Sequence, residues 1–278
     1  MTTSEIKSRL IAAGLRPNKL LGQHFLIDQN VLKKIVAQAD VKPSETILEI
    51  GPGLGILTFD LAKRAKRVMA VEKDRQMFEV LEKEIRQRGV KNIELVRDDI
   101  LRLAEKFFRD IREYRVIANI PYYLTSRLIR KLLAEVSPPQ EIILMVQKEV
   151  AERMMARPPQ MNLLALSVQA YGRPKKLFSV SRESFWPPPL IDSALISISA
   201  ISKNFFTHHH IPEKKFFEIA RRAFQTKRKT ILNGLAQFSS KQKLEKLLRD
   251  VGIDPNRRPE TLSLLDWIAI VSQLEKGD

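Results

Sequence analysis

Residues 46–58 read TILEIGPGLGILT. A short apolar strand runs into three alternating glycines and out into a helix. Such a turn folds sharply, lets a ligand approach the backbone where no Cβ intervenes, and is followed by the unsatisfied N–H groups of a helix N-terminus. The flanking sequence repeats the alternation. Gln29–Asp40 has helical periodicity, as do Leu57–Arg64 and the charged stretch Gln76–Arg88. Short apolar runs at 46–50, 67–72, 93–97, 115–118 and 141–146 read as strands. Strands alternating with helices predict an α/β fold with a parallel sheet covered on both faces, whose strand ends share one ligand-binding rim.

Beyond residue 150 the pattern changes. Residues 163–171 read as a helix, and 176–180 with 194–201 as a closing antiparallel pair. Residues 203–212, with His208-His209-His210, read as a solvated linker. Apolar positions then recur at helical spacing: Phe216, Phe217, Ala220, Ala223 and Phe224; Ile231, Leu232 and Leu235; Leu244, Leu247 and Leu248; Leu264, Leu265, Ile268 and Val271. The expected division is an α/β domain over 1–203 and a small helical domain over 204–278.

The glycine spacing is G-x-G-x-G, not the G-x-G-x-x-G of the dinucleotide fingerprint, which weakens a nicotinamide enzyme. Glu72 ends the next strand, where a carboxylate accepts hydrogen bonds from both ribose hydroxyls. Asp99 ends the strand after that and is placed to accept from an adenine amine, with Asp98 as a surface alternative. Gly51, Gly53, Gly55, Glu72 and Asp99 together predict a nucleoside-containing cofactor.

Residues 116–126 read VIANIPYYLTS and leave the fourth strand on that rim. An adenine amine is a poor nucleophile because its lone pair is delocalised into the ring. Two acceptors on its two N–H bonds favour a more pyramidal nitrogen. The Asn119 side-chain oxygen is one, and the Ile120 carbonyl, held by the fixed φ of Pro121, is the other. Tyr122 offers a face for the base, and such stacking contributes about 1–3 kcal/mol. No base has to remove a proton before the amine attacks a sulfonium-activated methyl group, so catalysis is mostly positioning.

The 278 residues carry a formal net charge of +16 and no cysteine. The absence of cysteine excludes disulfides, thiol nucleophiles and cysteine-ligated zinc, and no metal site is expected. The charge suits a polyanion, nucleic acid above all. Arg221-Arg222 and Lys227-Arg228-Lys229 flank Phe224 with few acids nearby; such residues contact phosphates. The N-terminus is too mixed for a signal peptide and no apolar run is long enough to span a membrane, so a soluble, cytoplasmic protein is expected, with nothing pointing to an obligate dimer.

These motifs resemble the S-adenosylmethionine-dependent ribosomal RNA adenine N6,N6-dimethyltransferases of the KsgA (RsmA) type, from about residue 17 to the C-terminus. LGQHFL at 21–26 is similar to the family's LGQNFL, with His24 where asparagine is usual. ILEIGPGLG, Asn119-Ile120-Pro121-Tyr122, QKEV at 147–150, FWPPP at 185–189 with IDSA after it, FQTKRKTILNGL and GIDPNRRPETL match further family segments. The related Erm enzymes share the catalytic motifs but generally lack the triple proline and the C-terminal segments. The resemblance implies a Rossmann-like methyltransferase domain with a mostly parallel seven-stranded sheet, S-adenosylmethionine as cofactor, and two adjacent adenosines near the 3′ end of small-subunit RNA as substrate, each dimethylated within an immature 30S particle. It places His24 and Leu26 at the cofactor beside Gly51, Glu72, Asp99 and Asn119. It also places the flipped adenine between Tyr122 and Phe185.

The sequence departs from the family at MNLLA (161–165), at Leu190 where lysine is usual, and at Tyr123 where asparagine is frequent. Two other functions stay open on the residues alone. One is a non-enzymatic assembly or transcription factor that keeps the fold as a platform. The other is a DNA adenine methyltransferase, although those carry [D/N]-P-P-[Y/F/W] and position 120 is isoleucine.

Overall fold

The computed structural model describes residues 3–12, 14, 17, 23–225 and 229–276. Nine strands are present among these residues: β1 (Phe25–Leu26), β2 (Thr46–Ile50), β3 (Arg67–Glu72), β4 (Ile93–Arg97), β5 (Arg115–Asn119), β6 (Glu141–Gln147), β7 (Arg173–Val180), β8 (Phe185–Trp186) and β9 (Ser193–Ser199). Seven form one sheet in the order β4-β3-β2-β5-β6-β9-β7, and β1 pairs with β8 in a separate two-stranded ribbon. The first five strands of that order run parallel, and β9 is antiparallel to β6.

The burial pattern explains the topology. Residues 47–50 of β2 and 142–146 of β6 are buried without alternation, as expected of strands covered on both faces. The outermost parallel strand, β4, has no fully buried residue. Helices supply the cover. Helix Gln29–Ala39 buries Leu32, Ile35, Val36 and Ala39, one apolar stripe at helical spacing. Its first turn is capped by Asp28, which accepts from the N–H groups of Asn30 (2.8 Å) and Val31 (3.2 Å); such a cap contributes about 1 kcal/mol. Asp74 caps helix Arg75–Arg88 in the same way.

The chain runs outward from β2 through β3 to β4, then returns to place β5 on the other side of β2. This reversal opens a crevice at the carboxyl ends of β2 and β5, where open α/β sheets bind ligands. At the opposite end of β5, buried Arg115 ties strands and helix together. It donates to Glu45 (2.8 Å), Glu141 (2.5 Å) and the Ala39 carbonyl (2.6 Å).

The chain divides into two compact units: residues 1–151 with 175–201, and residues 152–174 with 202–278. The division expected at 203/204 therefore misses a segment, because 152–174 packs with the C-terminal helices. Within that second unit the Tyr171 ring lies 5.3 Å from Phe206 and 5.8 Å from Phe217, and its hydroxyl donates to Glu213 (2.6 Å). The segment read as a linker is also folded. Residues 204–208 form a helix whose Phe206 is buried, so Phe205-Phe206 anchor the histidine run to a core. Helices Glu213–Gln225, Ile231–Gly234, Lys241–Asp250 and Leu264–Lys276 account for the four apolar groups of the sequence.

Candidate active site

One cleft in the first unit gathers most of the residues that the sequence singles out. Its lining includes His24, Leu26, Gly51, Gly53, Glu72, Asp99, Asn119, Ile120, Pro121 and Tyr122. Most come from element ends on the same rim: the glycine turn after β2, the last residue of β3, the loop after β4, and the exit from β5.

Glu72 is buried, and both of its oxygens are fixed. One accepts from the Gly53 N–H (3.1 Å), the other from the Asp74 N–H (2.8 Å). Burial raises its pKa, and those two N–H groups offset part of the rise. Each oxygen keeps a lone pair for a hydroxyl donor. Burial pushes Asp99 upward too, but the Lys73 ammonium at 2.9 Å and the Leu101 N–H at 2.9 Å outweigh it and hold the carboxyl below its usual range.

Glu49 lies behind the glycine turn and also lines the cleft. It is 2% exposed. One of its carboxylate oxygens has no hydrogen-bond partner among the described residues. Burial pushes its pKa up to about 8; the Thr58 hydroxyl, itself short of a partner of good geometry, pulls the other way, and the charge on Glu72 adds to the rise. A buried acid with an unpaired oxygen in a cleft wall suits a ligand that brings a positive charge. The sequence signal for it was only its place before the turn.

At the other side of the cleft, the Asn119 amide donates from Nδ2 to the His24 carbonyl at a long 3.4 Å. Its Oδ1 is left as an acceptor. No donor among the described residues takes the Ile120 carbonyl. Pro121, at φ −57°, starts a 3-10 turn over Tyr122–Leu124, closed by the Leu124 N–H on the Pro121 carbonyl (3.0 Å). Thr125 donates its hydroxyl to the Tyr122 carbonyl (3.0 Å). The Tyr122 hydroxyl is 2.5 Å from the hydroxyl of buried Ser193, so the ring is held at both ends. Ser193 belongs to the IDSA segment, yet its part in orienting Tyr122 could not be read from the sequence.

His24 sits across this turn. Its ring stacks beside Tyr122, with centroids 5.8 Å apart and planes 26° from parallel. Its Nδ1 is 2.7 Å from the Pro187 carbonyl, which makes Nδ1 the protonated nitrogen. The ribbon of β1 with β8 pairs Phe25 with Trp186 and Leu26 with Phe185. The end of the LGQHFL segment is thereby tied to the start of the triple-proline loop. Leu21 and Gly22 of that segment lie outside the described residues.

Two expected site residues are placed elsewhere. Gly55 does not line the cleft. At φ +75° it packs toward Leu81 and Phe59, and a Cβ there would lie 2.5 Å from Leu81 Cδ1, so its smallness serves helix-to-sheet packing. Phe185 is 2% exposed and joins the core with Leu26, Val180 and Leu195, so it has no open face on which a base could stack. In the second unit Arg221, Arg222 and Lys229 are exposed, while Lys227 and Arg228 lie outside the described residues. Arg257 is spent internally, donating to Thr261 Oγ1 (3.2 Å) and to the Thr261 carbonyl.

The profile of the ribosomal RNA adenine dimethylase family matches residues 14–276. The chain belongs to that family. Its relatives include proteins named ribosomal RNA small subunit methyltransferase A. The one from Dehalococcoides mccartyi is 42% identical over 95% of this chain and 90% of its own length. The one from Pelotomaculum thermopropionicum is 42% identical over 95% of this chain and 94% of its own. Among solved structures, a dimethyladenosine transferase from Plasmodium falciparum superposes with a TM-score of 0.77 at 27% identity, covering 91% of this chain and 98% of that one. The mostly parallel seven-stranded sheet is therefore a methyltransferase fold, and this dimethylase family member is an RNA adenine methyltransferase.

Proposed function

We propose that this enzyme moves methyl groups from S-adenosylmethionine to N6 of two adjacent adenosines in a 3′-terminal hairpin loop of small-subunit ribosomal RNA, giving N6,N6-dimethyladenosines. The observation that carries the reading is the exit from β5. Among the described residues a half-buried amide keeps its oxygen unpaired, and the next peptide carbonyl also lacks a donor. Two acceptors side by side suit an exocyclic amine with two N–H bonds. The arrangement favours this reading over a bare binding platform, which has no use for them.

S-adenosylmethionine, when bound, supplies an electrophilic methyl group. Glu72 takes its ribose hydroxyls, Asp99 its adenine amine, and Glu49 stands where a positive charge gains a partner; Gly51, Gly53, His24 and Leu26 complete the walls. Asn119 and the Ile120 carbonyl orient the substrate amine, and Tyr122 stacks on its ring. Alignment of this kind accounts for about 7–11 kcal/mol of a barrier. After transfer the substrate nitrogen carries the positive charge and loses its proton, so no residue here must act as a base first.

Arg221, Arg222 and Lys227–Lys229 hold RNA phosphates, giving affinity rather than sequence choice. Choice comes from RNA shape and from extrusion of the base. The enzyme works as a cytoplasmic monomer on an immature 30S particle, with a part in its maturation. Among the described residues no helix is long and apolar enough to cross a membrane, in keeping with that location.

The test is methyl transfer to immature small subunits, read by mass spectrometry of the RNA 3′ region. Asn119→Ala and Tyr122→Ala should each abolish dimethylation while circular dichroism shows the fold intact. Full activity in both variants overturns the mechanism, and preference for duplex DNA overturns the substrate.

A further inference from the structure

Tyr123 and Arg127 form a feature of the cleft that the mechanism leaves unused. Tyr123 is 52% exposed, the only aromatic among the large hydrophobic side chains left exposed in the described residues. It lines the same cleft as Asn119 and Tyr122. Its neighbour Tyr122 is half-buried and held by Ser193, whereas Tyr123 is open to solvent. Arg127 also lines the cleft and is exposed. No ion pair to it occurs among the described residues, whereas Arg130 on the same helix pairs with Glu135 (2.9 Å).

The backbone puts the two together. The 3-10 turn Tyr122–Leu124 continues directly into helix Thr125–Arg130. Across this junction of a 3-10 turn and an α-helix, positions 123 and 127 are separated by about one helical turn. The turn is rigid through the bonds of Leu124 to Pro121 and Thr125 to Tyr122. An exposed aromatic ring and a guanidinium with no ion pair among the described residues are therefore carried about one helical turn apart, on one cleft wall. That pairing matches one nucleotide: a base for the ring and a phosphate for the cation. It does not match a peptide or a lipid surface, which would require a wider apolar patch. The protein's surplus of positive charge, +16, favours the same polyanion.

We infer that Tyr123 and Arg127 are the docking site for the nucleotide next to the extruded adenosine, the ring stacking on its base and the guanidinium pairing with its phosphate. This rests on the RNA-adenine reading above and deepens it. When one adenosine enters the cleft, its neighbour loses a stacking partner in the RNA, and Tyr123 replaces that partner. The site favours a purine there, whose larger face stacks better, and so contributes to choosing two adjacent adenosines.

The test uses full-length protein with S-adenosylhomocysteine and a short RNA hairpin carrying 2-aminopurine beside the target adenosine. Stacking on Tyr123 should quench the probe in the wild type. Tyr123→Ala should remove the quenching and raise KM for unlabelled RNA about 5-fold, the low end of what loss of a base stack costs. Tyr123→Phe should restore both, since the ring carries the interaction. Arg127→Gln should lower the slope of log affinity against log salt by about 0.7, the value for one phosphate of a single strand. Calorimetry of S-adenosylhomocysteine binding confirms that each variant keeps its cleft. Unchanged quenching and KM in Tyr123→Ala overturns the inference, as does a Tyr123→Phe variant as weak as the alanine. A wild type that methylates RNA while Tyr123→Ala behaves normally overturns this site alone; a wild type that methylates no RNA overturns the reading beneath it as well.

Discussion

A carboxyl at position 49 has no cation beside it among the described residues to neutralise it. Its folded pKa of about 8 stands above the ordinary 4.5. Between those values the folded protein holds a proton that the unfolded chain has released. Stability is therefore fully present below about pH 4.5 and declines as pH rises toward about 8, by at most about 1.4 kcal/mol per unit. Burial moves Glu72 in the same direction. Thermal melts of Glu49→Gln should show a flatter dependence over this window and a higher midpoint at its alkaline end. Binding of a cationic cofactor reverses the preference, because it favours the ionised acid. Cofactor affinity should then rise with pH toward about 8 and binding should expel protons, measured by calorimetry in two buffers of different ionisation enthalpy; both effects should vanish in Glu49→Gln. A second residue-scale test concerns Ser193. Removing its hydroxyl in Ser193→Ala frees the Tyr122 hydroxyl bonded to it, a loss of about 0.5–1.5 kcal/mol. The methylation rate should fall with cofactor affinity preserved. Tyr122→Phe should add little to Ser193→Ala, since both delete one interaction.

Among elements, the glycine turn does two jobs that look alike in the sequence. Gly51 and Gly53 line the cleft, whereas Gly55 lets helix Arg75–Arg88 and Phe59 close on the sheet. Gly53→Ala meets only Phe25 at 3.4 Å, but Gly55→Ala places its methyl group 2.5 Å from Leu81 Cδ1. Overpacking of this sort costs about 1–3 kcal/mol, in addition to about 1 kcal/mol of left-handed backbone strain that alanine meets at both positions. Gly55→Ala should therefore lower the melting temperature with the residual folded fraction binding cofactor normally. Gly53→Ala should weaken cofactor binding with the smaller loss of stability. The same limit governs what was legible. Strand ends placed Glu72 and Asn119 on the cleft rim, and Asp99 two residues past the end of β4, because period and punctuation mark where a strand leaves the sheet. Spacing could not say which glycine lines the cleft and which faces a leucine in a later helix. Nor could it show that Phe185, paired with Leu26, lies in the core. Such facts depend on register between distant segments, which local pattern does not encode.

At the scale of the whole molecule, the boundary between units was the least legible feature. In the sequence, residues 152–174 follow β6 and run into the start of β7, yet they belong to the second unit. Tyr171 meets Phe206 and Phe217 there, across separations that no helical or strand period reveals. Charge, by contrast, was legible at once, since a surplus of +16 needs no fold to be counted. It leads to a prediction about how affinity divides between the units. Exposed Arg221 and Arg222 belong to the second unit, and the cofactor cleft to the first. If these arginines hold RNA phosphates, replacing both with glutamine should weaken RNA binding about equally for every sequence tried. The slope of log affinity against log salt should fall by about 0.7 to 0.9 for each phosphate that is no longer neutralised. Cofactor binding, measured without RNA, should not change. A wild-type slope that survives the double substitution would assign the phosphates to other cations of the chain, and a change in cofactor affinity would show that the two units communicate.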